Sequence, residues 1–197
     1  MLYRVGGLFI VVASIGFGSL LALGQAGQPV DALDNPLSVG LFYAAAVAGG
    51  FGTWWVGRQG TIKDEGVFGR FGLGLVAVGL VAVVVGQLMI TFIQAQGDPS
   101  ADPAYLLIVG GFVSGFFGQI VTGVAFIARG GARRVIGSLL FAGAAVFAPT
   151  ISFFFIGGHA PLVRFSALAI SLIGWLSLGV LVSRSGKGTQ PVPSASQ

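Results

Sequence analysis

Residues Tyr105–Ala128 read YLLIVGGFVSGFFGQIVTGVAFIA, an uncharged apolar run long enough to cross a bilayer and dense in small residues. At a spacing of four it yields two adjacent ladders, Gly110-Ser114-Gly118-Thr122 and Gly111-Gly115-Gln119-Gly123. Lipid gives helices no hydrophobic reason to associate, so faces this free of bulk let backbones approach and gain dispersion contacts. The expected packing residues are Gly111, Gly115, Gly118 and Gly123. Gln119 lies within the same face, and an amide at that depth must find a partner. The stretch therefore predicts a transmembrane helix central to a bundle.

The rest of the chain has the same character. Of 197 residues, 55% are hydrophobic and 8% charged, where a soluble domain carries about a quarter charged residues. Five further apolar spans follow the same pattern: Val5–Gly24, Leu37–Gly57, Phe71–Gln94, Val135–Gly157 and Leu162–Ser183. The expected fold is all-α, a polytopic bundle of six transmembrane helices over residues 1–183, with a polar, disordered tail over 184–197. Val5–Gly24 is too long for a typical signal-peptide core, so it is taken as the first span.

Charge orders the connections. Arg4, Arg58, Lys63, Arg70, Arg129, Arg133, Arg134, Arg184 and Lys187 fall on the side of the N-terminus, and Arg164 alone falls on the other, nine against one. By the positive-inside rule both termini are cytoplasmic, and the expected location is the cell's inner (plasma) membrane. The ten basic residues are dispersed at helix ends, which fits topology and not a nucleic-acid surface. An arginine opens each odd span and a proline precedes each even one (Pro36, Pro103, Pro161), a rhythm of three helical hairpins.

All sixteen charged residues lie in connections or at span ends. Proton relays, ion pumps and voltage sensors need an ionisable group within the membrane. Intramembrane hydrolases need paired acids, a Ser–His pair or metal ligands. None of these patterns is present, and neither is any cysteine. The expectation is a protein that is not an enzyme and needs no cofactor or metal. His159 stands alone in a turn beside Pro161 and reads as a solvated turn residue.

The remaining mid-span features are neutral. Counting 1.5 Å per residue, Gln87 lies roughly 7 Å from mid-span toward the outer side, near Pro149 and Thr150, while Gln119 and Trp175 lie roughly 4 Å toward the cytoplasm. Gln87 is matched with Thr91, and Gln119 with Thr122 or the Trp175 indole. Pro149 should kink the fifth span, because its nitrogen cannot donate to Ala145.

Two functions fit. The first is an accessory or scaffold subunit, held to a membrane-protein partner or a second copy through small-residue faces that include Ser14-Gly18-Ala22 and Ala45-Gly49-Thr53. The second is a carrier for a neutral or amphipathic solute, with Gln87, Gln119, Trp175, Pro149 and Thr150 about a mid-membrane cavity. In the ladder reading, Gly115→Leu separates a packed helix pair and Gln119→Leu is nearly silent. The topology itself is directly testable. Reporter fusions after Gly60, Gly131 and Gly186 are expected to report cytoplasm and those near Asp34, Asp98 and His159 the outside; an outside signal at Gly131 would overturn the assignment.

Overall fold

A computed structural model describes the chain over residues 3–25, 36–59, 66–95, 102–155 and 161–185, with side chains over 4–22, 37–59, 66–93, 103–146 and 166–184. It is all-helical: α1 (Tyr3–Gln25), α2 (Pro36–Gln59), α3 (Gly66–Ala95), α4 (Asp102–Ile127), α5 (Gly131–Phe155) and α6 (Pro161–Ser185). Pro36 and Pro161 are the first residues of their helices and Pro103 the second of its own. A first-turn N–H has no intrahelical acceptor, so proline costs nothing there. The turn between α4 and α5 is short because Gly130 and Gly131 adopt φ of 72° and 57°, which reverse the chain at once. Arg133 and Arg134, expected in a loop, therefore lie in the first turns of α5. Similarly, α3 begins at Gly66, with φ 64°, ahead of the expected Phe71.

Five helices are long and apolar enough to cross a membrane, over Arg4–Ala22, Leu37–Gln59, Gly66–Ile93, Pro103–Ile127 and Ser166–Arg184. The described side chains of α5 stop at Val146, too few for that comparison. Large apolar side chains cover the exterior; Leu8, Val12, Ile15, Val78, Leu106 and Val113 are each more than half exposed. A soluble monomer seldom presents apolar area on that scale. His159 and the tail beyond Ser185 lie outside the described residues.

Each helix packs antiparallel on its neighbours in sequence, and α1 closes on α6. The result is a ring of six helices with none at its centre. Its closest seam joins α3 to α4, and the register is regular. Gly72 faces Gly118, Gly79 faces Gly111, and Gly86 faces Ala104, so both helices present a small residue every seventh position. A Cβ built at Gly79 would lie 2.5 Å from the Gly111 carbonyl oxygen, and one built at Gly118 would lie 2.5 Å from that of Gly72. The Ser114 hydroxyl donates across the seam to the Leu75 carbonyl at 3.0 Å. Gly123 and Gly137 join α4 to α5, and Gly7 and Gly179 join α1 to α6, in the same backbone-to-backbone manner.

Because the chain alternates direction, Arg4, Arg58, Arg70, Arg129, Arg134 and Arg184 gather at one end of the ring, here the basic end. Just inside it, side chains from all six helices fill the centre: Ile10, Val56, Leu73, Phe126, Leu140 and Leu178 are buried and in mutual contact. Counted along its own helix, each of the six lies two to six residues from the flanking arginine.

The tight seam generates a paired prediction. Gly79→Ala puts a methyl into a backbone and is expected to destabilise by about 1–3 kcal/mol. Gly74→Ala, where a Cβ meets no heavy atom within 4 Å, should change stability by less than about 0.5 kcal/mol. Reversible unfolding in mixed detergent reads both; equal effects would refute the assigned contact face.

Candidate functional site

Above the plug the ring borders a partly open cavity of about 510 Å³, within the range of small-molecule sites. It is lined by α1, α2, α3, α4 and α6. Most of the wall is aliphatic or aromatic, with Phe17 and Phe42 on one side and Phe112 and Phe116 on the other. The glycines of the α3–α4 seam contribute too: Gly79, Gly111 and Gly115 all border the space. Gly115 holds a double position. Its backbone lies against Gly79, while a Cβ on Gly115 itself would meet nothing within 4 Å.

The polar part of the wall is built around Gln119, on α4 and 5% exposed. Its Nε2 donates to the Leu140 carbonyl of α5 at 2.9 Å and to Ser171 Oγ of α6 at 2.8 Å. Trp175 Nε1 donates to Gln119 Oε1 at 3.1 Å. One amide thus joins three helices, and it reaches them because small residues bring their axes close: a Cβ on Gly143 of α5 would overlap Ser171 Oγ and lie 2.8 Å from Ser171 N. A helical carbonyl has a second lone pair beyond its ladder bond, which is the one Leu140 offers here. Among the described residues, no ionisable side chain lines the cavity.

Two further hydroxyls line the same space. Ser14 donates to the Ile10 carbonyl at 2.8 Å and Thr53 to the Gly49 carbonyl at 2.7 Å, each one helical turn back. Back-bonding of this kind satisfies the donor and leaves the oxygen's lone pairs.

The residues singled out in the sequence separate into groups. Gln119 and Trp175 meet directly at the cavity wall. Thr122 is not Gln119's partner: its hydroxyl is buried with no hydrogen-bond partner, facing Gly72. Gln87 lies on α3 outside the cavity lining, and the Thr91 hydroxyl donates to its backbone carbonyl at 2.9 Å, not to its amide. Helix α5 runs on through Pro149 and Thr150 to Phe155, and the side chains of that stretch lie outside the described residues. Gly111, Gly118 and Gly123 each meet a neighbouring helix backbone. Sequence reasoning missed Ser171, although it precedes Trp175 by four residues and so shares its helix face. It also missed Ser14 and Thr53 as lining residues.

Comparison with known protein families, curated proteins and solved structures gives no match to this chain.

The hydrogen bonds alter the expected ranking of substitutions on α4. Gln119→Leu strands the Trp175 indole N–H and removes three interhelical bonds. At about 0.6 kcal/mol each in a membrane, plus the orphaned donor, it should cost about 2–3 kcal/mol. Unfolding monitored by Trp fluorescence checks this; an unchanged midpoint would mean that the network adds nothing to stability.

Proposed function

We propose that this chain is an integral protein of the inner (plasma) membrane, with both termini cytoplasmic, that binds an uncharged and largely apolar molecule inside its helical ring. It acts as a carrier or binding component and performs no catalysis. The observation that carries the reading is the cavity: about 510 Å³, mainly hydrocarbon and aromatic in its walls, with a few hydrogen-bonding groups and no described ionisable one. Pockets of that make-up take small apolar molecules, the polar groups fixing orientation. A charged guest would enter without a counter-charge, at a prohibitive desolvation cost.

The scaffold reading rested on small-residue faces in excess of what the bundle needs. Most of those faces are used within the chain. Gly72, Gly79, Gly111, Gly118, Gly123 and Gly179 each meet a backbone of a neighbouring helix. Gly18, Gly40, Gly74 and Gly110, helical glycines with nothing within 4 Å of a built Cβ, are what remains to favour a partner or a second copy.

The cavity gives Gly115→Leu a different meaning from the one the ladders suggested. The new side chain would project into empty space rather than into a helix, so the variant should fold. N-phenyl-1-naphthylamine, an uncharged apolar fluorophore, is expected to bind the purified protein saturably and about one to one. Binding should drop at least roughly tenfold in Gly115→Leu, because the substitution costs the probe its apolar contacts. Equal saturable binding by both proteins would place the probe elsewhere and remove the support for this function.

A further inference from the structure

Outside the cavity, four aromatic rings gather on the outer face of α1 and α2 near the basic end. Phe9 and Phe51 meet edge to face with centroids 4.8 Å apart. Phe51 lies 6.0 Å from Trp54 and 5.4 Å from Trp55, and the two indoles lie 6.1 Å apart. Phe9, Phe51 and Trp54 are each more than a third exposed. Glycines let the two helices close up behind these rings: a Cβ built at Gly6 would lie 2.9 Å from Trp55 Cδ1, and one built at Gly52 would lie 2.9 Å from the Ile10 side chain. The patch is therefore one surface spanning two helices, not two sets of independent side chains.

Its borders give it a direction. Along α2, Val47, Phe51, Trp54 and Arg58 are exposed at intervals of four, three and four residues, which makes a single stripe. Val47 supplies hydrocarbon at one end of that stripe and Arg58 a cation at the other. On α1, the exposed Val12 and Arg4 stand on either side of Phe9 in the same sense. A Cβ on Gly6 would also meet the Val56 side chain, so Arg4, two residues before Gly6, and Arg58, two beyond Val56, stand at the same end of adjacent helices.

Arg58 is seated on the patch itself. Its Cζ lies over the Trp54 ring, 5.2 Å from the centroid, within the range of a cation–π contact. A ring face attracts the charge and consumes none of the N–H donors. The long side chain is thus held against the helix surface while its planar fork can still take a phosphate through two parallel hydrogen bonds.

We infer that this patch binds an anionic phospholipid, with the phosphate on Arg58, Arg4 beside it, and an acyl chain lying along Phe9, Phe51 and Val47. An aromatic belt alone serves any lipid. Two guanidinium groups at one site add a preference by charge, because a zwitterionic head group brings its ammonium next to them and an anionic one does not. The inference takes the chain to lie in a bilayer and is independent of the cavity.

Trp175→Phe leaves two tryptophans, both in the patch. The full-length variant, its helicity checked by circular dichroism, is reconstituted in phosphatidylcholine vesicles with a minor share of phosphatidylglycerol, and bromine is placed on the chains of one lipid or of the other. Brominated phosphatidylglycerol is expected to quench as though enriched roughly fivefold beside the indoles over its share of the bilayer, the worth of one arginine toward an anionic lipid. Arg58→Gln should bring that enrichment down to the bulk value. Arg134→Gln removes the same charge from α5, across the ring from α2, and should leave the enrichment in place. Quenching that follows bulk composition, enrichment that survives Arg58→Gln, or an equal loss in both arginine variants overturns the inference. Bulk-like quenching joined to a dimer in detergent that Trp54→Ala breaks assigns the patch to a second copy and overturns it as well. None of these outcomes bears on probe binding in the cavity.

Discussion

The ring depends on how closely α3 and α4 can approach. Gly72, Gly79 and Gly86 on one helix meet Gly118, Gly111 and Ala104 on the other, so that carbonyl oxygens lie where side chains would otherwise begin. In a medium where burial of apolar surface drives nothing, dispersion between backbones and weak Cα–H···O contacts are the available sources of association. A period of seven keeps two left-handed supercoiled helices in contact along their whole length. The α3–α4 pair is thereby a stiff wall against which the other four helices are arranged.

Closing six helices into a ring creates a central space that backbone packing cannot fill, so side chains decide what it becomes. At the basic end Phe126, Leu140, Leu73 and their neighbours fill it completely. Further in, Gly79 and Gly111 of the seam border the centre, and Gly115 contributes no side chain there. The same small residues that permit the close approach therefore leave the void beside it. Gln119 closes the wall at this level by joining α4, α5 and α6, which accounts for an amide where a leucine would have been cheaper to bury.

What the sequence made legible follows from which forces act locally. Lipid demands uninterrupted apolar runs, and proline costs least in a first turn, where its missing N–H has no acceptor to lose, so the helices and the starts of α2, α4 and α6 could be read directly. Depth along a helix is also local, and it brought Gln119 and Trp175 together on paper. Lateral position is not local. Ladders of four on Tyr105–Ala128 drew attention to both small faces, but the α3–α4 contact follows a spacing of seven, visible as Gly72-Gly79-Gly86 only once an antiparallel partner is specified. Gln87 follows Leu80 and Val83 along the same face of α3, yet it is not among the residues that line the cavity. The cavity itself was out of reach, because it exists only through contact between the first and last helices.

A small residue at every seventh position has an ambiguity of its own. If α3 slid along α4 by one repeat, roughly 10 Å, Gly72 would meet Gly111 and Gly79 would meet Ala104, and the close approach would survive almost unchanged. Packing alone cannot distinguish these alignments. One thing does: Arg70, which a slide inward would carry into hydrocarbon, whereas the Ser114 hydroxyl would find the backbone carbonyl of Phe68 in place of that of Leu75. Arginine at the helix end therefore acts as a mechanical stop, setting the vertical alignment of a seam whose own chemistry is degenerate.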